Sequence, residues 1–247
     1  MGHVGRTGAL AAAVGIGVVI TTTPCVASAK PPDTGSAANV SVSANGETRV
    51  QKGTASSTAD GTGSVAIARG AYSTATATGG DHNRATAVGT GSTATAIDGS
   101  NNTATVMGDN SLAIAGGGDN NTATVFGDHS TAGAGGGDNN TATVIGDYSD
   151  AGASGLAVTA PGNNNTATVI GDHSQAFAFG PDSDFNTATV VGNYSHAFAG
   201  NPDPLTNPSG PGGDYNTATV TGNNSTATAG PGDANTTEVT GDNQSAP

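Results

Sequence analysis

Tryptophan is absent, and 247 residues contain only one cysteine, four tyrosines and five phenylalanines. A conventional globular core offsets chain entropy by burying large side chains, and too few are present to build one. Basic residues are also scarce: six Lys and Arg stand against 19 Asp and Glu, a formal charge of −13. None of the six lies beyond Arg84, whereas 15 of the acidic groups do. That distribution excludes nucleic acid and anionic membrane surfaces as partners, since both are met with basic patches. Charged residues are still only 10% of the chain, too few for charge-driven disorder. The longest apolar run, Ala9 to Ile20, covers twelve residues, and a bilayer span takes ~20.

That run has the form of a secretory leader. Arg6 precedes it, a polar stretch follows, and Ala27-Ser28-Ala29 is a small-x-small cleavage signature. Residues 1–29 are therefore expected to be a signal peptide cut before Lys30, and the mature chain to be secreted, extracellular or held in the cell envelope. The only cysteine, Cys25, falls inside the leader, so no disulfide is expected in the mature protein. Residues 30–60 are small and polar with little period, and read as a linker or an N-terminal cap; Asn39 to Ser43 alternates and fits one extra strand.

From residue 61 the chain is periodic. Asn-Thr-Ala-Thr-Val begins at Asn102, Asn121, Asn140, Asn165, Asn186 and Asn216. Ser-x-Ala-x-Ala begins at Ser111, Ser130, Ser149, Ser174, Ser195 and Ser225, each nine residues after its Asn partner. The short return step is ten residues, giving a period of 19, and the register extends from Ser64 to Asn235 through 17 slots. Within each slot the first, third and fifth residues are constant and small, while the second and fourth vary among polar types. Strict alternation marks a half-buried strand. Coils that stack like on like must turn the constant set inward, so Asn, Ala and Val are expected to face Ser, Ala and Ala across a thin core. The fold class is therefore all-β: a parallel β-solenoid or β-roll of about eight 19-residue coils with two short strands each, spanning 61–247. Gly-Asp and Gly-Gly corners supply the positive φ of tight turns.

Gly63-Ser64-Val65-Ala66-Ile67 and Tyr72-Ser73-Thr74-Ala75-Thr76-Ala77 resemble the head repeats of YadA-like trimeric adhesins, and the pattern continues to about residue 240. That resemblance implies a β-roll, a bacterial source and work as a surface adhesin. The step of nine and ten residues is longer than that family's. Asn-Thr-Ala-Thr-Val also resembles the strands of curli-type amyloid subunits, which implies fibre formation.

Several residues invite a chemical reading. Asp128-His129-Ser130 recurs as Asp172-His173-Ser174, but adjacent side chains diverge along a strand and do not assemble a triad. Other coils carry Asn110, Tyr148, Tyr194 and Asn224 in the His slot, so no catalytic residue and no cofactor site is expected. Asp109, Asp128, Asp147 and Asp172 form one acidic column, and like charges ~4.8 Å apart repel by roughly 0.9 kcal/mol in water. These four are the calcium candidates, although turn geometry alone accounts for Asp there. Thr pairs from Thr103/Thr105 to Thr217/Thr219 form an outward array of the kind that meets ice, and Thr is also a good exposed strand residue. Met107, Phe126, Ile145, Ile170 and Val191 follow the N-type slots, either as an outward self-association stripe or as plugs at the corner of the core.

Insertions at 155–164, 179–185 and 200–215 all fall on the return turn and would emerge at one edge. Leu156, Phe179, Phe185, Leu205 and Tyr215 are the binding-edge candidates there. The composite expectation is a non-catalytic, secreted or cell-surface structural or adhesin-like protein. It would meet a host or matrix surface and self-associate. The alternatives are a solenoid that binds calcium or ice and a fibre-forming subunit.

Overall fold

A computed structural model describes residues 39–153, 162–179, 183–200 and 213–247. These residues form strands and turns with no helix. Three strands open the described part: β1 (Val40–Ala44), β2 (Glu47–Lys52) and β3 (Ser56–Ala59). The N-type slots then give β4 (Val65–Arg69), β6 (Arg84–Val88), β8 (Thr103–Met107), β10 (Thr122–Phe126) and β12 (Thr141–Ile145). The same series continues with β14 (Thr166–Ile170), β16 (Thr187–Val191), β18 (Thr217–Thr221) and β20 (Thr236–Thr240). The S-type slots give β5 (Thr74–Ala77), β7 (Thr93–Ile97), β9 (Leu112–Gly116), β11 (Thr131–Gly135) and β13 (Asp150–Ala153). They end with β15 (Gln175–Phe179), β17 (His196–Gly200), β19 (Thr226–Ala229) and β21 (Ser245–Ala246).

From β3 onward odd and even strands segregate into two sheets. Sheet A runs β2-β1-β4 and then through the even strands to β20; sheet B runs from β3 through the odd strands to β21. From β4 onward every pairing is parallel and in register, so the protein is a parallel β-solenoid of nine coils, β4/β5 to β20/β21. Ala85, Ala104, Ala123, Ala142, Ala167, Ala188 and Ala218 pair in one unbroken column. Those alanines and the Val106-to-Val220 column are fully buried. The facing read from the alternation is the facing observed. Small residues are required because the two sheets press together over nothing larger than valine.

Polar ladders close the corners of the core. Each inward Asn accepts, on Oδ1, the backbone N–H of the Asn one coil on: Asn102 to Asn83, Asn121 to Asn102 and Asn140 to Asn121, all at 2.9 Å. From Asn83 to Asn165 its Nδ2 also donates to the corner carbonyl of that next coil, as Asn121 does to Gly137 at 2.8 Å, whereas Nδ2 of Asn186 and of Asn216 has no partner. The serines do the same for sheet B: Ser130 Oγ accepts from Ser149 N at 3.1 Å and donates to Gly146 O at 2.8 Å. A buried backbone group without a partner costs as much as a lost hydrogen bond. One Asn or Ser per half-coil can remove two such orphans, which is why the position holds Asn or Ser from Ser64 to Asn235, with Gln244 only in the terminal half-coil. At the corner itself Gly127 adopts φ +156°, and a Cβ there would strike the carbonyl oxygen of Gly146. Glycine is the only residue that fits.

The polar segment before residue 61 is, from residue 39 onward, built structure at the start of the stack. Strand β1 pairs antiparallel with β4, and β2 pairs antiparallel with β1. Inward Ser41 and Ser43 replace alanine and meet Ser57 of β3 through hydroxyl contacts of 2.7 and 2.9 Å. The outermost strand, β2, carries exposed Glu47, Arg49 and Lys52, and charge on an edge strand discourages further pairing.

Candidate functional site

The acidic column serves the stack first. Asp109 Oδ1 accepts the backbone N–H of Thr90 at 2.6 Å, and Asp128, Asp147 and Asp172 accept from the preceding Asp of the column at 2.7, 2.8 and 2.9 Å. Asn193 and Asn223 continue the ladder with their amide oxygens, so what the position requires is an Oδ1 rather than a charge. The opposite corner repeats the device through Asp119, Asp138 and Asp184. Among the described residues no group of three or more His, Cys, Asp or Glu converges as a metal site.

The residue after each Asp or Asn of the first column is left-handed. Asn110, His129, Tyr148, His173, Tyr194 and Asn224 all have φ between +51° and +56°. Asn and His tolerate that region, whereas Tyr adopts it less often. The rings are held in an exposed stack: His129 on Tyr148 at 4.8 Å, Tyr148 on His173 at 5.1 Å, and His173 on Tyr194 at 4.8 Å. The Asp-His-Ser tripeptides thereby come apart. His129 points outward into the stack, Ser130 Oγ is buried and donates to Gly146 O, and Asp128 Oδ1 accepts the N–H of Asp109 in the preceding coil. The only signals of the stack in the sequence are the aromatic character of the slot and the Asn that fills it in other coils.

On the outer face of sheet A the periodicity is unbroken from β8 to β18. Each strand presents Thr, Thr and one further residue in three straight columns. The third column, Met107, Phe126, Ile145, Ile170 and Val191, is 40–46% exposed. It is an outward ladder and not a plug of the core.

The outer face of sheet B breaks the pattern over β9 to β17, beginning with Leu112 and Ile114. Its middle column reads Ile114, Gly133, Gly152, Phe177 and Phe198 in register. Phe177 stacks on Phe198 with centroids 5.9 Å apart, and Phe179 meets Phe177 edge-on at 5.5 Å. The Phe177 ring lies over Gly152, where an added Cβ would come within 2.8 Å of the ring. Gly133 is bare: a Cβ there would meet nothing within 4 Å. Beside these run Asp150, Gln175 and His196, with Gln175 Nε2 donating to Asp150 Oδ2 at 3.3 Å. His196 stacks on Phe198, and burial holds its imidazole below the usual pKa of 6.5.

The binding-edge candidates divide. Phe179 is the last residue of β15 and belongs to this face rather than to an insertion. Phe185 and Tyr215 occupy the left-handed corner that precedes each Asn, stack at 4.9 Å, and are 45% and 60% exposed. Leu156 and Leu205 lie outside the described residues. Coils of 25, 21 and 30 residues between successive Asn place all the extra chain after β13, β15 and β17. These strands carry the polar and aromatic part of the irregular outer face, Asp150, Gln175, His196, Phe177 and Phe198. Comparison with protein-family models, with curated proteins and with solved structures gives no match.

Proposed function

We propose that this is a non-catalytic protein displayed outside the cytoplasm, adhesin-like in its work, which recognises a host or matrix surface through the irregular face of sheet B. The observation that carries the reading is a coincidence of two departures from the repeat. The departure from Thr begins without added chain at Leu112 and Ile114 of β9, but its polar and aromatic residues, Asp150, Gln175, His196, Phe177 and Phe198, all lie on the three strands followed by added chain. A repeated surface offers little to distinguish one receptor from another, whereas clustered aromatics beside hydrogen-bonding groups are the usual material of binding hot spots. The rest of the solenoid acts as a rigid mount. The dismantled Asp-His-Ser tripeptides support the non-catalytic part of the reading. The test is adhesion of beads coated with the full chain to epithelial monolayers and to collagen- or fibronectin-coated plates. The double variant Phe177→Ser/Phe198→Ser should lose adhesion while Thr122→Ser/Thr141→Ser keeps it. Equal adhesion by both variants would refute the assignment.

One further observation favours a second reading, ice binding: two straight Thr columns repeat over six coils on a flat, uncharged face. Thermal hysteresis that disappears on Thr143→Tyr would establish it, and freezing at the melting point would end it.

A further inference from the structure

We propose that the outer face of sheet A is a self-association surface on which a second copy of this chain docks face to face with its axis reversed, about a two-fold axis at Ile145. The argument starts from charge. On a chain of net charge −13, the eighteen outward residues of β8 to β18 on sheet A include no charged group. Like-charged molecules can approach most closely there, and the face carries the five-residue apolar ladder Met107 to Val191. The acidic corner columns flank it on both sides.

Symmetry then selects the arrangement. Ile145 closes the β-strand of the fifth coil of nine. A two-fold axis parallel to the strands at that coil overlaps the nine coils of the two copies, leaves β1 and β2 of each beyond the partner's last coil, and sets each column on itself. Met107 faces Val191, Phe126 faces Ile170, and Ile145 faces its own copy, so larger side chains meet smaller ones and the layers interdigitate. An axis along the solenoid would instead set the apolar column on the first Thr column.

The outward charges of the nine coils on sheet A point the same way. They are Arg69 and Arg84 in the first two coils and Glu238 in the last. The reversed arrangement brings Arg84 of one copy beside Glu238 of the other, one coil and one column apart, whereas the parallel arrangement sets Arg by Arg. Opposite charges across an interface fix register more than they add affinity. Nine coils ~4.8 Å apart and strands ~15 Å long give ~600 Å² per copy, at the low end for a specific interface. The pair is therefore expected to be weak and reversible, and favoured at high local density.

The test is thiol cross-linking of the full chain in a Cys25→Ser background with a short bismaleimide, at a protein concentration of ~100 μM, suited to a weak interface. Ile145→Cys should cross-link to itself about tenfold or more faster than Thr131→Cys on sheet B, because docking raises the local thiol concentration. Met107→Cys should cross-link with Val191→Cys and not with itself. Added salt should speed the reaction, since it screens the acidic corners. Arg84→Glu should slow it, and Arg84→Glu with Glu238→Arg should restore it. All these side chains lie on outer faces, exposed or, at Thr103 and Thr131, half-buried, and unchanged far-UV circular dichroism shows that each variant folds. Ile145→Cys no faster than Thr131→Cys, Met107→Cys pairing with Thr103→Cys, or thermal hysteresis without cross-linking would each overturn the proposal.

Discussion

Replacing Asn121 with alanine tests the corner ladder at its most informative point. Asn121 is fully buried. Its Oδ1 accepts the N–H of Asn140 at 2.9 Å, and its Nδ2 donates to Gly137 O at 2.8 Å. Alanine leaves both partners without a bond inside the core. Each buried polar group left unsatisfied costs about 1–3 kcal/mol, so Asn121→Ala should destabilise by about 2–5 kcal/mol. Asn186 supplies the control. It is as buried and its Oδ1 accepts from Asn216 at 2.9 Å, but its Nδ2 has no partner. The coil that should offer the matching carbonyl is the one lengthened to 30 residues. Asn186→Ala therefore orphans one group and removes another already orphaned, and should cost ~1–2 kcal/mol less than Asn121→Ala. Urea unfolding followed by far-UV circular dichroism measures the two costs. Native-state hydrogen exchange at the amides of Asn140 and Asn216 separates local opening from global unfolding, which matters in a stack where neighbouring coils open semi-independently. Equal costs at the two sites, or a cost below ~0.5 kcal/mol at Asn121, would refute the idea that the side-chain ladder closes the corner.

Further outcomes follow from the same geometry. Ala142→Leu should destabilise by about 1–3 kcal/mol through overpacking of the closed core, and Thr141→Leu by far less, as read from urea midpoints. His129→Asn should be nearly neutral because Asn suits φ +56°, whereas β-branched His129→Val should lower the melting temperature. His196 has a folded pKa below 6.5 because burial disfavours its cation. The unfolded chain then binds the proton first as pH falls from 6.5 towards the folded value, so stability declines across that window and returns as pH rises. His196→Gln should flatten that part of the pH–melting curve. N-terminal sequencing of exported protein should begin near Lys30; an exported chain that retains Met1 would contradict the leader.

The stacking register was legible because it is enforced at every coil. Ala104, Ala123 and Ala142 have no freedom of size, and their constancy against varying outer neighbours reveals which way they face. The ring stack was not legible in the same way. Nothing in the spacing of His129, Tyr148, His173 and Tyr194 states that the slot is left-handed and projects outward, although Asn at the same slot in other coils is the trace of it. Strands β1 to β3 were only partly legible, because β1 and β2 pair antiparallel outside the repeat and β1 meets β3 through one hydroxyl cluster, Ser41, Ser43 and Ser57, with no repetition to betray it. The irregular face of sheet B was obscured by the added chain beside it. Phe179 read as part of an insertion, when its alternation with Phe177 places both on one face of a strand.

Electron–electron spin distances offer the most direct test that this chain is an in-register stack. Nitroxides on Thr103→Cys paired in turn with Thr166→Cys, Thr187→Cys and Thr217→Cys, in a Cys25→Ser background, span three, four and five coils of sheet A. The last two coil steps contain 21 and 30 residues. The solenoid predicts narrow distributions near ~14, ~19 and ~24 Å, with the same ~4.8 Å increment for both steps whatever the chain length between them. Broad distributions, or distances that grow with the number of intervening residues, would contradict it.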